Sequence, residues 1–277
     1  MKKPAILGGE PAFKEPLHVG RPNLPDLATF NKLVDEMFQR RWFTNFGPLA
    51  KQLQLELQNL LQVKHCIPLC NGTVALELAC RAIGLTGEVI VPSYTFIATA
   101  HALKWQEITP VFCDMLESDF TIDPDKIEEL ITEKTTGIIG VHVYGNPCNY
   151  KAISNIAKKY NLKVIYDAAH AFTNKVKGIP ICQLGDISVL SFHATKFFST
   201  FEGGAVATDN DDLAEKIQLM MNFGFAGKEK DKVDFIGTNG KMTEICSAMG
   251  LAMLDKVEAI REVNERILAP IESIFLV

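Results

Sequence analysis

Residues 187–190 read Ile-Ser-Val-Leu and run into Ser191-Phe192-His193-Ala194-Thr195-Lys196-Phe197-Phe198-Ser199-Thr200-Phe201-Glu202-Gly203-Gly204. The first four residues have the look of a buried strand, and the rest form a short polar turn that carries one lysine between apolar segments. Burial disfavours a charged ammonium, so a lysine held among Phe192, Phe197 and Phe198 gives up its proton more readily than a surface lysine. A neutral amine attacks carbonyls. Lysines beside aromatics more often snorkel their heads to water, so this stretch alone leaves both readings open.

Outward from it the same pattern repeats. Short β-branched runs lie at 67–70, 88–91, 109–113, 137–143, 163–166, 187–191 and 205–208. Helical patterns lie near 74–83, 97–105, 124–131, 151–159 and 211–221. Strands apolar on both faces and spaced by helices predict an α/β fold with a mostly parallel, seven-stranded sheet covered on both sides. Two more helical patterns precede it at 27–40 and 48–61. They are joined by Trp42-Phe43-Thr44-Asn45-Phe46-Gly47, with Pro48 at the first turn of the second helix. Residues 1–26 are rich in Pro and Gly and read as an irregular arm.

Composition narrows the function. With 277 residues, 47% hydrophobic and 22% charged, the chain has material for a large core and is neither disordered nor fibrous. A net charge of −5 and no arginine or lysine stripe argue against nucleic acid as a partner. The opening MKKPAILGGEPAFKEP holds no apolar run of signal-peptide length and no segment approaches membrane-spanning length, so a cytoplasmic location and no membrane partner are expected. Seven cysteines (Cys66, Cys70, Cys80, Cys113, Cys148, Cys182 and Cys246) sit mostly inside apolar runs, as small buried hydrophobes do in a reducing compartment. His65, Cys66 and Cys70 are close in sequence, but no second ligand cluster answers them and no metal is expected.

In sheets of this kind functional groups gather beyond the carboxyl ends of the strands. Asn71-Gly72-Thr73 follows the first strand and opens a helix, offering amides and a hydroxyl to an anion; capping by Asn71 or Thr73 explains the same residues equally well. Pro92-Ser93-Tyr94-Thr95-Phe96 places an aromatic where a planar ligand would stack, or where a core would pack. Tyr166 is followed by Asp167-Ala168-Ala169-His170, a strand-end carboxylate that would approach a ring nitrogen closely or cap the next helix. Facing a pyridinium about 4 Å away at an effective dielectric near ~20, it supplies roughly 4 kcal/mol, about three pKa units, ample to keep the ring protonated. Each feature alone has a plain structural explanation. A reactive lysine, an anion seat, an aromatic plate and a strand-end carboxylate in this order are together what pyridoxal 5'-phosphate requires.

The motifs Asn71-Gly72-Thr73-Val74-Ala75-Leu76, Pro92-Ser93-Tyr94-Thr95-Phe96, Asp167-Ala168-Ala169-His170-Ala171, Ser191-Phe192-His193-Ala194-Thr195-Lys196, Glu202-Gly203-Gly204 and Gly237-Thr238-Asn239-Gly240-Lys241-Met242-Thr243-Glu244 resemble those of the DegT-type sugar aminotransferases. These are pyridoxal-phosphate enzymes of the aspartate-aminotransferase-like fold, fold type I, and the resemblance runs over residues 22–266. It implies that Lys196 bonds the cofactor's aldehyde and then moves the proton between substrate carbon and cofactor. It implies that Asp167 partners the pyridine nitrogen, that Phe96 stacks on the ring where relatives often carry Trp or Tyr, and that His170, where many have Gln, lies on or near the other side. In the Gly72-Thr73-Val74 turn, the amides of Thr73 and Val74 with the hydroxyls of Thr73 and Ser191 are expected to bind the phosphate. Asn239 matches an asparagine that reaches the phosphate of a neighbouring subunit, which implies a homodimer with shared sites. His193 is open between a structural role in the turn and a catalytic one.

The family's usual reaction moves an amino group, most often from glutamate, onto a ketone of a nucleotide-linked deoxysugar. The 42–48 loop and the turn Tyr144-Gly145-Asn146-Pro147-Cys148 resemble members acting on 4-keto-6-deoxy sugars, and Lys196 stands where the dehydratase branch has histidine. Three parts are expected: an arm over 1–26, a cofactor-binding large domain over 27–242, and over 243–277 the start of a small C-terminal domain that is largely missing. The short end admits a second reading, a non-catalytic remnant that binds cofactor or a partner.

Overall fold

The computed structural model describes residues 3–16, 18, 20–226 and 231–275, with side-chain surroundings described to residue 268. The expected arm is irregular apart from a 3₁₀ turn at Ala5–Leu7; its residues 1, 2, 17 and 19, like the terminal residues 276 and 277, lie outside the described residues. The arm ends beside the lysine turn, where the Asn23 side-chain amide donates to the Phe197 carbonyl at 3.1 Å.

Helix α1 (Leu27–Arg40) starts where Asp26 accepts the Thr29 amide. Helix α2 (Pro48–Leu61) starts with proline, whose missing N–H and fixed φ suit the first turn. The alternating part follows as β1 (His65–Leu69), α3 (Gly72–Ile83), β2 (Glu88–Pro92), α4 (Ile97–Lys104), β3 (Thr109–Cys113), β4 (Thr135–Val141), α5 (Tyr150–Tyr160) and β5 (Lys163–Asp167). A two-residue hairpin of β6 (Lys175–Val176) and β7 (Ile179–Pro180) precedes β8 (Ile187–Ser191), β9 (Gly204–Thr208) and α6 (Asp211–Met220). A second small hairpin, β10 (Phe225–Ala226) and β11 (Lys232–Val233), leads to α7 (Glu244–Leu254) and α8 (Val257–Phe275).

The main sheet has seven strands in the order β1-β9-β8-β5-β4-β2-β3, parallel throughout except for β9, which runs against both β1 and β8. Successive side chains of a strand face opposite ways, so the strands feed two cores. Ile138, Tyr166, Leu190 and Ala205 pack on one side with Leu53, Leu57, Met249 and Met253. Ile139, Ile165, Val189 and Val206 pack on the other with Leu76, Ala79, Leu103 and Ile217. The α/β expectation and the parallel sheet hold.

Two segments differ from the sequence reading. Residues 124–131 form two 3₁₀ turns, Pro124–Lys126 and Glu128–Leu130, in place of one helix, because Ile127 is fully buried between them and Ile131 is already extended on the way into β4. The stretch from Glu244 forms two helices, with a break at Asp255 and Lys256 that the sequence does not announce. There α7, buried on nearly every side, gives way to α8, whose Glu258, Arg261 and Glu265 are solvated. Helix α7 contributes Met249 and Met253 to the same core as the sheet.

Candidate active site

The carboxyl ends of β1, β2, β4, β5 and β8 open onto one cavity of about 580 Å³, lined by residues that include Gly72, Thr73, Phe96, Asp167, His170, Ser191 and Lys196. Five strand-end loops thus meet at one mouth, as those of a parallel sheet must.

Lys196 sits in the turn after β8, half-buried above the fully buried rings of Phe192 and Phe198. The turn is closed by backbone bonds from Phe192 N to Gly203 O at 2.8 Å and from Thr200 N to Phe192 O at 2.9 Å. Loss of hydration lowers the Lys196 ammonium below its ordinary pKa, and the charge of Asp167 opposes that shift. The lysine is therefore easier to deprotonate than a surface one.

Asp167 ends β5 and is 6% exposed. Its Oδ1 accepts the Ala169 amide at 3.1 Å and its Oδ2 accepts the Thr99 hydroxyl at 2.9 Å. From below, the His142 amide donates to the Asp167 carbonyl at 3.0 Å. The His142 ring stacks on Tyr166 with centroids 4.7 Å apart, and its Nδ1 accepts the Cys148 amide at 3.1 Å. Burial pushes its pKa down to about 4, and its Nε2 has no hydrogen-bond partner among the described residues.

The anion seat differs from expectation in one donor. Asn71 caps α3 by accepting the Val74 amide at 2.8 Å, so that amide is committed to the chain, and Val74 does not line the cavity. The amides of Gly72 and Thr73 make no hydrogen bond among the described residues, and both residues line the cavity. Two glycines allow the approach. A Cβ on Gly72 would lie 3.1 Å from the Cβ of Ser191, and one on Gly204 would lie 2.7 Å from the Gly72 nitrogen. The Ser191 hydroxyl is thereby brought against the start of α3.

Phe96, 74% exposed, precedes α4 at one wall. At another, the rings of His170 and Tyr144 stack with centroids 5.7 Å apart and planes 3° apart, and Tyr144 N donates to His170 Nδ1 at 3.3 Å. Loss of hydration and then the Lys196 charge lower the His170 pKa, against Asp167. His193 also lines the cavity; its Nδ1 lies 2.9 Å from Thr195 Oγ1, and its Nε2 lies 3.6 Å from Glu202 Oε1. Asn239 does not line the cavity of its own chain; it pairs across a backbone bridge with Asn222.

Sequence reasoning missed Thr99, and it missed the hydroxyl pair of Tyr94 and Tyr144, 2.8 Å apart at the mouth. Nothing local marks Thr99: its partner Asp167 lies 68 residues away, and Thr95 precedes α4 rather than sharing its face. No group of three or more metal-ligating side chains occurs among the described residues, and no described helix is long and apolar enough to cross a membrane.

Comparison with known proteins places this geometry. A dTDP-4-amino-4,6-dideoxy-D-glucose transaminase from Shigella dysenteriae is 46% identical over 246 residues, 89% of this chain and 66% of that protein. DesI, solved in the presence of its TDP-sugar product, superposes with a TM-score of 0.87 at 43% identity, covering 92% of this chain and 64% of that one. NtdA from Bacillus subtilis, solved with bound cofactor PMP, gives a TM-score of 0.81 at 34% identity over 88% of this chain and 56% of its own. The chain thus spans less than two thirds of the length of each. The likeness bears out fold type I. The family model for the DegT/DnrJ/EryC1/StrS aminotransferases matches residues 26–275, and the chain belongs to that family.

Proposed function

We propose that the chain binds pyridoxal 5'-phosphate and serves the transfer of an amino group, from an amino acid such as glutamate, to the keto carbon of a nucleotide-linked 4-keto-6-deoxy sugar. One observation carries the reading: a half-buried lysine, a buried carboxylate and two free helix-start amides converge on one cavity. The donor set fits the group. Gly72 and Thr73 amides with the Thr73 and Ser191 hydroxyls would take the phosphate, Asp167 the ring nitrogen, Phe96 and His170 the two sides of the ring, and Lys196 the aldehyde. When bound, pyridoxal phosphate supplies an electron sink and a carrier for the amino group.

The chain's own residues do the rest. Asp167, held by two donors, keeps a proton on the ring nitrogen. Lys196, with its lowered pKa, is the base that takes a proton from the substrate carbon and returns it. His170, kept neutral above its lowered pKa, adds no second positive charge beside that lysine. A homodimer in which Asn239 completes the partner's phosphate site belongs to the same proposal. The thymidine-linked sugar is favoured by the transaminase at 46% identity.

The test is to load the protein with pyridoxal phosphate, add L-glutamate, and then add dTDP-4-keto-6-deoxyglucose. The reading expects the visible cofactor band to bleach with glutamate, to return with the sugar, and an amino sugar nucleotide to appear in the mass spectrum. Cofactor binding with no response to any amino acid contradicts the transferase reading.

A further inference from the structure

The two oxygens of the Asp167 carboxylate have different neighbours. Oδ1 accepts a backbone amide, from Ala169, and Oδ2 accepts a side-chain hydroxyl, from Thr99, at 2.9 Å. Thr99 is fully buried on α4, and its Oγ1 lies 2.8 Å from that of Thr95, which is part-buried. A hydroxyl has one proton, and an ionised carboxylate only accepts. The proton of Thr99 therefore goes to Asp167, and the Thr95–Thr99 contact is made by the proton of Thr95. The order is fixed: Thr95 donates to Thr99, and Thr99 donates to Asp167.

Such a chain polarises inward, each donor strengthening the next, and a bond onto a charged acceptor is the stronger kind. The Thr99 hydroxyl is not needed by its helix, whose first turn is closed by the Thr99 amide on the Phe96 carbonyl at 3.1 Å. The titratable groups that face Asp167 are Lys196 and His170, and neither donates to Oδ2. An ion-pair proton sits on whichever partner holds it more tightly. Two donors fix the plane of the Asp167 carboxylate, and hydrogen bonds made to a charged form favour the ion pair in which it takes part.

We propose that Thr99, oriented by Thr95, is a positioning residue: it fixes the Asp167 carboxylate to face the cofactor's ring nitrogen and so keeps that nitrogen protonated. The inference rests on the pyridoxal-phosphate reading of the cavity and adds to it the element that sets the strength of the electron sink. Valine replaces threonine with nearly the same shape but no hydroxyl, whereas serine keeps the donor.

The test reconstitutes wild type, Thr99→Val, Thr99→Ser and Thr95→Val with pyridoxal phosphate labelled with ¹⁵N in the ring and reads the nitrogen resonance. A borohydride-reduced adduct on Lys196 in each protein first establishes the cofactor reading by itself. The wild-type resonance lies at the protonated position. Thr99→Val moves it toward the unprotonated position and weakens cofactor binding about tenfold, the lower end for losing a hydrogen bond to a charged group. Thr95→Val gives a smaller move in the same direction, and Thr99→Ser returns the resonance to the wild-type position. Adducts on Lys196 with a Thr99→Val resonance unchanged from wild type overturn the relay and leave the cofactor reading standing. No adduct in wild type overturns both.

Discussion

Lys196 and Asp167 make opposite demands on one cavity, since loss of water turns the lysine into a base while the carboxylate must stay charged in the same surroundings. The chain meets both by giving Asp167 two donors and leaving Lys196 none but its burial. Lys196→Ala is expected to lower any transamination by about 10²- to 10⁴-fold, the range of a positioned acid–base group, with cofactor still held at its phosphate. A second residue-scale prediction concerns His142, which folding holds at a pKa of about 4 against an ordinary 6.5. Between these values the unfolded chain binds a proton that the folded chain refuses, so stability is intact above pH 6.5, falls as pH drops, and is lost in full below about 4. Between pH 7.5 and 5 this amounts to about 2 kcal/mol, and His142→Asn should flatten that part of the profile in urea titrations. Lys196 and Asp167 were legible in the sequence because each sits at a strand end beside small or polar residues. Thr99 was not, because its partner lies 68 residues away and only the packing of α4 over β5 brings them together. For Val74 the sequence left capping by Asn71 and anion binding open, and in the structure Asn71 takes its amide.

The helices that flank the sheet are joined by one buried acid. Glu244, fully buried at the start of α7, accepts the Leu49 amide at 3.0 Å and the Ala50 amide at 2.8 Å, satisfying two free donors at the start of α2. A Cβ on Gly47 would lie 2.4 Å from the Glu244 carboxyl carbon, so the glycine before Pro48 makes room for the acid. Glu244→Ala leaves both amides buried without an acceptor and should lower unfolding stability by about 3 kcal/mol, read as a shifted denaturant midpoint, while the folded fraction binds cofactor as before. The seven strands of the main sheet and α1 to α6 were legible to within about two residues, because apolar runs, Asn and Asp caps and Pro48 each mark an edge locally, whereas the two small hairpins were not. What was not legible depends on tertiary surroundings: the 3₁₀ turns at 124–131 and the break between α7 and α8 follow from where Ile127 and α7 are buried, and a glutamate opening a helix gives no sign in sequence that it caps another one.

At the scale of the molecule, the proposed dimer would cover large apolar side chains left outside, such as Trp105 and Ile236 at 81% and 78% exposure. It predicts sedimentation as a dimer and a cofactor affinity that rises with protein concentration through the dimerisation range. Asn239→Ala is expected to weaken binding about tenfold in the dimer and to remove that concentration dependence, which a fluorescence titration at several protein concentrations reads directly. The overall architecture was legible because seven apolar runs spaced by helices admit few other folds. The convergence of five loops on one cavity was legible only as a rule about strand ends, and the structure supplies the distances. The central claim concerns one amine, and its most direct measurement is the mass of the peptide bearing that amine after the protein is mixed with pyridoxal phosphate and reduced with borohydride. A single reduced cofactor on Lys196, absent from Lys196→Ala, is the result expected; an adduct on another lysine, or an equal one in Lys196→Ala, would contradict it.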